Sequence, residues 1–169
     1  MKLQRFYVLH TIVSITEPVT IPSVELLNQL KKVLRLSVGD QVILFDNSGM
    51  QFLAAIYSYQ SESVTFTILE KQDGSAKPQR ETWLFAALVK KDNFEWIVQK
   101  ATELGVSHIV PLITARTEKK DFNRERLTKV SIEASEQSGR ATLPQIHDIL
   151  KLADAVAEFR YVKSVAWDP

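Results

Sequence analysis

The spacing of the apolar residues changes once along the chain, close to residue 75. Before that point, short apolar segments such as Val64 to Leu69 alternate with polar residues and are separated by turn-forming segments such as Asp46 to Gly49. After it, Thr82 to Val89 forms a nearly continuous apolar run, and apolar residues then recur at helical spacing from Phe94 onwards. Alternation is typical of half-buried strands, whereas a continuous run is typical of a strand covered on both faces. The chain is therefore predicted to combine two different architectures.

The first region is predicted to be a small β-barrel, because short strands recur at regular spacing with hairpin turns between them. Residues 72–79 are rich in Gly, Ser and Pro, so we expect a linker there and domains that span residues 1–74 and 75–169. The predicted strands are Arg5 to Leu9, Val42 to Phe45, Phe52 to Tyr57 and Val64 to Leu69. One helix is predicted to start near Pro22 to Glu25 and to bury a face made of Leu26, Leu30, Val33 and Leu34.

The second region is predicted to be the first part of an α/β domain, because strands and helices alternate there and this order implies a parallel sheet. Asp92 precedes Glu95 by three residues, which resembles a capping box at the start of a helix, and Gly105 is suited to end that helix. The expected fold class is thus α+β. The predicted elements are the strand Thr82 to Val89, a helix with Phe94, Ile97, Val98, Ala101 and Leu104 on its apolar face, the strand His108 to Ile113, the helix Asn123 to Gly139 and a strand from Tyr161 to Trp167.

The composition excludes several classes of protein. The chain has no Cys and no spacing of residues that suits a metal, so we expect neither disulfides nor a metal site. It has no apolar stretch long enough to cross a membrane, and its N-terminus lacks a signal peptide's apolar region, so a cytoplasmic protein is expected. A net charge of +1 gives no general attraction to nucleic acid, so any RNA contact must come from local basic clusters.

Two motifs and their spacing carry a resemblance to a known family. They are Lys90 to Val106, which reads KKDNFEWIVQKATELGV, and Ile132 to Arg140, which reads IEASEQSGR. With Arg5 to Val8 and Val33 to Asp40, they resemble the ribosomal RNA small subunit methyltransferase E family, which methylates N3 of a uridine in 16S rRNA. The resemblance implies a PUA-like RNA-binding barrel at residues 1–74 and part of a knotted SPOUT methyltransferase domain at 75–169. It also implies S-adenosylmethionine as methyl donor, 16S rRNA within the 30S subunit as partner, and a homodimer.

The sequence departs from the family where the methyl donor binds. The family's C-terminal knot carries a Gly-Pro-Glu-Gly-Gly loop and a later Leu-Arg-Thr-Glu-Thr-Ala segment, and neither occurs among these 169 residues, which include only five glycines. We therefore expect a C-terminally truncated chain without the knot segment, with no cofactor-binding residue of its own and with little or no activity.

The candidate site residues are polar side chains within or near these motifs. Removing the weakly acidic imide proton of uridine N3 calls for a base, and the resulting anion calls for a cation. Glu136 suits the first role if its pKa is raised, and Arg116 or Arg140 suits the second. Pairing of Glu136 with Arg140 along the helix is the purely structural alternative. The candidates for RNA contact are Arg5, Arg35, Lys90, Lys91 and Gln137, each of which is otherwise a solvated surface residue.

Two other classes of function stay open at this level. The chain is either an incomplete methyltransferase or an RNA-binding protein without catalytic activity, and an interaction domain with no RNA role is the third reading. His108 is expected to be a packing residue, because it adjoins a buried strand and no carboxylate or Cys stands near it in the sequence.

Overall fold

The computed structural model of the protein describes residues 3–9, 11–74, 80–118 and 121–159. The fold is mixed α/β and divides into two compact units. Unit 1 contains Met1–Arg80 and Ser131–Leu143, and unit 2 contains Glu81–Val130 and Pro144–Pro169. Most of the expected linker, residues 75–79, and the expected strand from Tyr161 to Trp167 lie outside the described residues.

Unit 1 is built on a curled five-stranded sheet with the strand order β1-β3-β4-β5-β2. Strands β1 and β3 are parallel, and the other neighbours are antiparallel. Register shifts between β4 and β5 at Leu53/Ala54 and Ile56/Ser58 bend the long hairpin, since bulges increase local twist. The strands are β1 (Arg5–Tyr7), β2 (Val19–Pro22), β3 (Gln41–Phe45), β4 (Met50–Tyr59) and β5 (Ser63–Asp73).

The four strands predicted in this unit are confirmed, although β4 and β5 are longer than expected. Strand β2 was not predicted from the sequence, because it has four residues and ends in Pro22. A proline is tolerated at such a position because β2 lies at the edge of the sheet. The sheet and the helix that follows β2 enclose one apolar core, whose largest fully buried members are Phe6, Phe52, Phe66, Leu30, Leu44 and Ile56.

The helix of unit 1 changes its winding partway along. Helix α1 (Val24–Asn28) begins at Ser23, whose hydroxyl accepts the N–H of Leu26 at 3.1 Å, as predicted. A π-helical turn, Gln29–Val33, follows directly. Because a π turn is wider than an α turn, Val33 rotates off the face that carries Leu26 and Leu30. Its side chain is 72% exposed, so its prediction as a core residue was wrong.

Unit 2 is built on a parallel sheet around β7, as predicted for its first two strands. The short strands β8 and β9 both pair with β7 in the same direction and were not predicted, since each has two residues. The elements are β6 (Trp83–Ala87), α2 (Lys91–Glu103), β7 (His108–Ile113), α3 (Arg124–Ser138), β8 (Gln145–Ile146), β9 (Leu150–Lys151) and α4 (Leu152–Glu158). None of the described helices is long and apolar enough to cross a membrane.

Helix α2 differs from its predicted form at both ends. Its N-cap is Lys90, which makes no side-chain capping bond, so the capping box predicted at Asp92 was wrong. Asp92 instead lies in the first turn, where its charge interacts favourably with the helix dipole. Phe94 and Val98 are buried as expected, but Leu104 is 83% exposed because it is the C-cap residue and Gly105, at φ +88°, turns the chain away. Helix α3 buries Leu127, Val130 and Ala134, as predicted.

Candidate functional site

The C-terminal half of α3 belongs to unit 1 and carries Glu136 against the first strand. The backbone N–H of Tyr7 donates a 2.9 Å hydrogen bond to Glu136 Oε1. Strand β1 is an edge strand, and the carboxylate satisfies a donor that the sheet leaves unpaired. Burial raises the pKa of Glu136, the bond from Tyr7 opposes this rise, and the neighbouring carboxylates of Glu133 and Glu25 add to it. The net effect is a carboxyl group that holds its proton more readily than an ordinary glutamate.

Arg5 contacts the same end of α3. Its Nη1 donates to Gln51 Oε1 at 2.8 Å, and its Nη2 donates to the backbone oxygen of Arg140 at 3.3 Å. The guanidinium carbon lies 5.6 Å from the centroid of the Phe45 ring. Burial lowers the pKa of Arg5, but a guanidinium keeps its charge under all ordinary conditions. Arg5 therefore lies against the protein with its fork turned inward.

The segment after α3 is held to unit 1 at further points. Gly139, at φ +85°, ends the helix, and the N–H groups of Gly139 and Arg140 both donate to the carbonyl of Ser135. The N–H of Leu143 donates to Asn47 Oδ1 at 2.7 Å. This segment is held on both sides of Arg140, whose half-buried side chain has its pKa lowered by burial.

Gly74 allows a close approach to this segment. A Cβ atom on Gly74 would lie 2.2 Å from Ala141 Cβ and 2.5 Å from the carbonyl oxygen of Gly49. Neither distance is compatible with a side chain unless the backbone shifts. Glycine at position 74 is thus a requirement of packing against the segment that contains Arg140.

The other candidates of unit 1 are exposed. Gln137 lies on α3 beside Glu136, and Arg35 lies in the loop after the π turn with φ +55°. Lys31 and Lys32 shortly precede Arg35, and the sequence analysis did not single them out. Three cationic residues within five positions are a signal that could have identified a basic cluster here. Lys31 Nζ lies 5.5 Å from the centroid of the Tyr59 ring. The turn thus presents a local basic cluster on an otherwise nearly neutral chain.

The remaining candidates lie in unit 2, at the carboxyl edge of its sheet. Lys90 follows β6 and Arg116 lies in the turn after β7, and both are exposed. Strands β6 and β7 are parallel neighbours, so both cations lie at the edge where open α/β sheets bind ligands. Lys91 opens α2, and its side chain lies outside the described part of the chain.

A small apolar pocket lies near this edge. It has a volume of about 40 Å³ and is lined by residues that include Leu88, Phe94, Phe122 and Leu127. A pocket that encloses a nucleoside-sized ligand typically has a volume of several hundred Å³, on the order of 300–1,000 Å³. This one is suited to a single side chain. Among the described residues, no group of three or more side chains suits a metal ion.

An aromatic cluster occupies the opposite, amino edge of the same sheet, and sequence reasoning missed it. The Trp83 and His108 rings stack with centroids 3.8 Å apart, and His108 Nδ1 lies 3.1 Å from His147 Nε2. His108 is a packing residue, as expected, but a carboxylate does lie near it, since Glu81 Oε2 is 3.5 Å from its Nε2. This cluster is difficult to predict from the sequence because Glu81, His108 and His147 are far apart along the chain.

Comparisons with known proteins agree with this architecture. Residues 75–168 match the family described as an RNA methyltransferase domain. The chain is 30% identical over 154 residues to ribosomal RNA small subunit methyltransferase E of Bacillus subtilis (strain 168), covering 87% of this chain and 60% of that protein. It is 33% identical over 156 residues to the enzyme of the same name from Rickettsia conorii, covering 91% of this chain and 62% of that protein.

A solved structure shows the same fold. The crystal structure of a ribosomal RNA small subunit methyltransferase E from Neisseria gonorrhoeae bound to S-adenosylmethionine superposes with a TM-score of 0.80 at 26% identity. The match covers 92% of this chain and 65% of that one. The chain spans about 60% of the length of the curated relatives it matches.

Proposed function

Since the chain belongs to the ribosomal RNA small subunit methyltransferase E family, we propose that it forms the RNA-contacting part of an enzyme that methylates N3 of a uridine in 16S rRNA. The relatives' names support methylation of small-subunit rRNA. The observation that carries the proposal for this chain is the half-buried Glu136, whose pKa is raised, four residues before Arg140 on the motif that resembles the family's.

The chemistry assigns different roles to these two residues. The carboxylate of Glu136 accepts the N3 proton, and its raised pKa makes it a stronger base than an exposed glutamate. Removal of the proton leaves negative charge on the uracil ring, which the guanidinium of Arg140 stabilises. S-adenosylmethionine, which the gonococcal relative binds, would supply the methyl group: as the bond to N3 formed, the methyl–sulfur bond would break and the sulfur would keep the electron pair.

We infer that the described residues do not form the site for S-adenosylmethionine. The apolar pocket near the carboxyl edge of unit 2 is too small for an adenosyl group. Gly39, Gly49, Gly105 and Gly139 have positive φ in turns and helix ends, where they are already needed for the fold. We therefore propose that the methyl donor is held by residues other than those described.

RNA contact is proposed for both units. The curled sheet of unit 1 supports a PUA-like barrel, with Arg35 and Gln137 as exposed contacts. Lys90, Lys91 and Arg116 are proposed to bind phosphate at the carboxyl edge of unit 2. The resemblance also predicts a homodimer, which analytical ultracentrifugation of the protein tests directly.

The second candidate function is RNA binding without catalysis, which the exposed basic cluster of Lys31, Lys32 and Arg35 supports without any need for a methyl donor. Two measurements separate the candidates. Binding of the chain to 30S subunits that lack the modification is measured at several salt concentrations, because phosphate contacts make affinity salt-dependent. Methyl transfer is then measured with a fusion that adds the C-terminal part of the Bacillus subtilis relative, and the product nucleoside is identified by mass spectrometry. Formation of 3-methyluridine supports the enzyme, binding without transfer supports the second candidate, and no salt-dependent binding excludes both.

A further inference from the structure

We infer that Arg5 is a positioning residue for Arg140, because its half-buried guanidinium donates hydrogen bonds to the backbone of Arg140 and to Gln51. The inference rests on the proposed function, in which Arg140 contacts the RNA. It replaces the simpler reading in which Arg5 is itself a phosphate contact of the first strand.

Both outer nitrogens of the Arg5 guanidinium donate to protein oxygens. Nη1 and Nη2 donate to Gln51 and to the carbonyl of Arg140. The Nε atom is buried and finds no hydrogen-bond partner among the described residues, and the Phe45 ring lies close to the guanidinium. A bidentate arginine–phosphate contact uses two parallel N–H groups directed at the anion. Here each outer nitrogen already donates to a protein oxygen, so a bidentate contact would have to compete with these two bonds.

The carbonyl that accepts this bond lies directly after the end of α3. Arg140 follows the helix end at Gly139, whose positive φ marks the point where the regular hydrogen bonding of α3 stops. Leu143, three residues later, is held by Asn47. Arg5 and Asn47 therefore fix the backbone on both sides of the turn, and the direction of the Arg140 side chain follows from the backbone angles that they maintain.

A double-mutant cycle on the 169-residue chain tests this inference. Lys is a competent phosphate ligand as a point charge, but it cannot bridge Gln51 and the Arg140 carbonyl as a planar fork does. Arg5→Lys is therefore expected to weaken binding to undermodified 30S subunits by about tenfold, the scale of one hydrogen bond to a charged group. In the Arg140→Gln background, Arg5→Lys is expected to have no further effect, because residues that act through one contact are not additive.

The matched control is Arg35→Lys, which alters an exposed arginine of the same unit. The change in RNA affinity that Arg35→Lys causes is expected to be the same with and without Arg140→Gln. If Arg5→Lys and Arg140→Gln instead contribute independently to the affinity, Arg5 contacts the RNA itself and the inference is wrong.

Hydrogen exchange on the free protein gives a second readout that does not depend on RNA. Arg5→Lys is expected to speed amide exchange at Arg140 and Leu143, and Arg35→Lys is expected to leave both unchanged. Unchanged exchange in Arg5→Lys overturns the inference. If no variant binds RNA, the proposed function fails, and the exchange rates alone decide whether Arg5 holds this segment.

Discussion

The backbone N–H of Tyr7 and the carboxylate of Glu136 form a 2.9 Å hydrogen bond across 129 residues of sequence. This bond and burial act on the carboxyl group in opposite directions. The bond stabilises the charged form, whereas burial disfavours it and is the larger effect, so the pKa of Glu136 lies above its ordinary value. A single residue is thus suited both to hold β1 against α3 and to accept a proton.

Glu136→Gln separates these two roles. The amide oxygen can still accept the N–H of Tyr7, but it cannot take a proton from uridine N3. Methyl transfer by the fusion protein is expected to fall about 10²- to 10⁴-fold, the usual contribution of a general base. Glu125→Gln, an exposed change in the first turn of the same helix, is the control and is expected to stay near the wild-type rate. Transfer within a few-fold of wild type in Glu136→Gln would assign the carboxylate to structure alone.

The same variant is expected to change the pH dependence of stability. A carboxyl group with a raised pKa in the folded state contributes stability at low pH, and this contribution is lost as the pH rises through the raised pKa. Glu136→Gln removes this loss, so it is expected to have a higher free energy of unfolding than wild type at pH 7. The difference should shrink as the pH falls through the raised pKa, and it should be nearly gone at about pH 4, close to the ordinary glutamate pKa. Denaturant unfolding from pH 4 to pH 8 measures both curves, and parallel curves would contradict the expectation.

Arg140→Lys tests whether the planar guanidinium matters. Lys retains the charge but loses the bidentate geometry that stabilises a uracil anion or clamps a phosphate. Methyl transfer is expected to fall by about tenfold or more, as for loss of a charged hydrogen bond, while the melting temperature changes little. Near wild-type turnover would mean that the guanidinium of Arg140 does not act in methyl transfer. A large drop in melting temperature would instead assign it to the fold.

Gly74→Ala is expected to destabilise unit 1. The added methyl group would meet Ala141 Cβ at 2.2 Å and the Gly49 carbonyl oxygen at 2.5 Å. Overpacking of this kind typically costs about 1–3 kcal/mol. Ala141→Gly removes the first of these contacts, so the double variant should be more stable than the sum of the two single changes predicts. Urea unfolding of the four proteins supplies the comparison, and simple additivity would mean that the approach of residues 74 and 141 is not the cause.

His147 is expected to make unit 2 sensitive to acid. Burial lowers the pKa of His147, and the neighbouring His108 and Arg124 lower it further, while Asp148 and Glu158 act against them. Because the folded-state pKa is depressed, the stabilising contribution of the neutral ring is complete above about pH 6.5 and is lost as the pH falls through the lowered value. His147→Gln should flatten the dependence of melting temperature on pH between 5 and 7. An unchanged slope in that variant would exclude His147 as its source.

A substitution in the core of unit 1 is expected to lower the free energy of unfolding by more than a substitution at an exposed position of the same sheet. Phe66 is completely buried among apolar side chains, whereas Tyr57, on the neighbouring strand, is 60% exposed. Phe66→Ala is expected to cost about 3–5 kcal/mol in the free energy of unfolding, and Tyr57→Ala about 0.5 kcal/mol or less. Chemical denaturation measures both. Similar losses in the two variants would mean that the sheet does not bury its core on the face that carries Phe66.

Local patterns in the sequence were sufficient for most helices and strands and for the family. The spacing of the apolar residues predicted strands β3 to β7. The residues that begin and end a helix predicted α1 and α3. Both signals depend on only a few neighbouring residues. These local signals failed where the helix departs from regular α geometry and where a strand is very short. Val33 fits a helical face by spacing, yet a π turn exposes it, and β8 and β9 are too short to show any period.

The contacts around Arg140 could not be read from the sequence. Glu136 and Arg140 were visible as parts of one motif, but the residues that bond to this motif and to Leu143 after it lie 96 to 135 positions away; they are Tyr7, Arg5 and Asn47. Such contacts arise only when the folded chain brings the edge of one strand, one hairpin turn and one helix end together. Local propensities cannot predict these contacts, because their stabilising energy comes from pairing groups that are far apart in the unfolded chain.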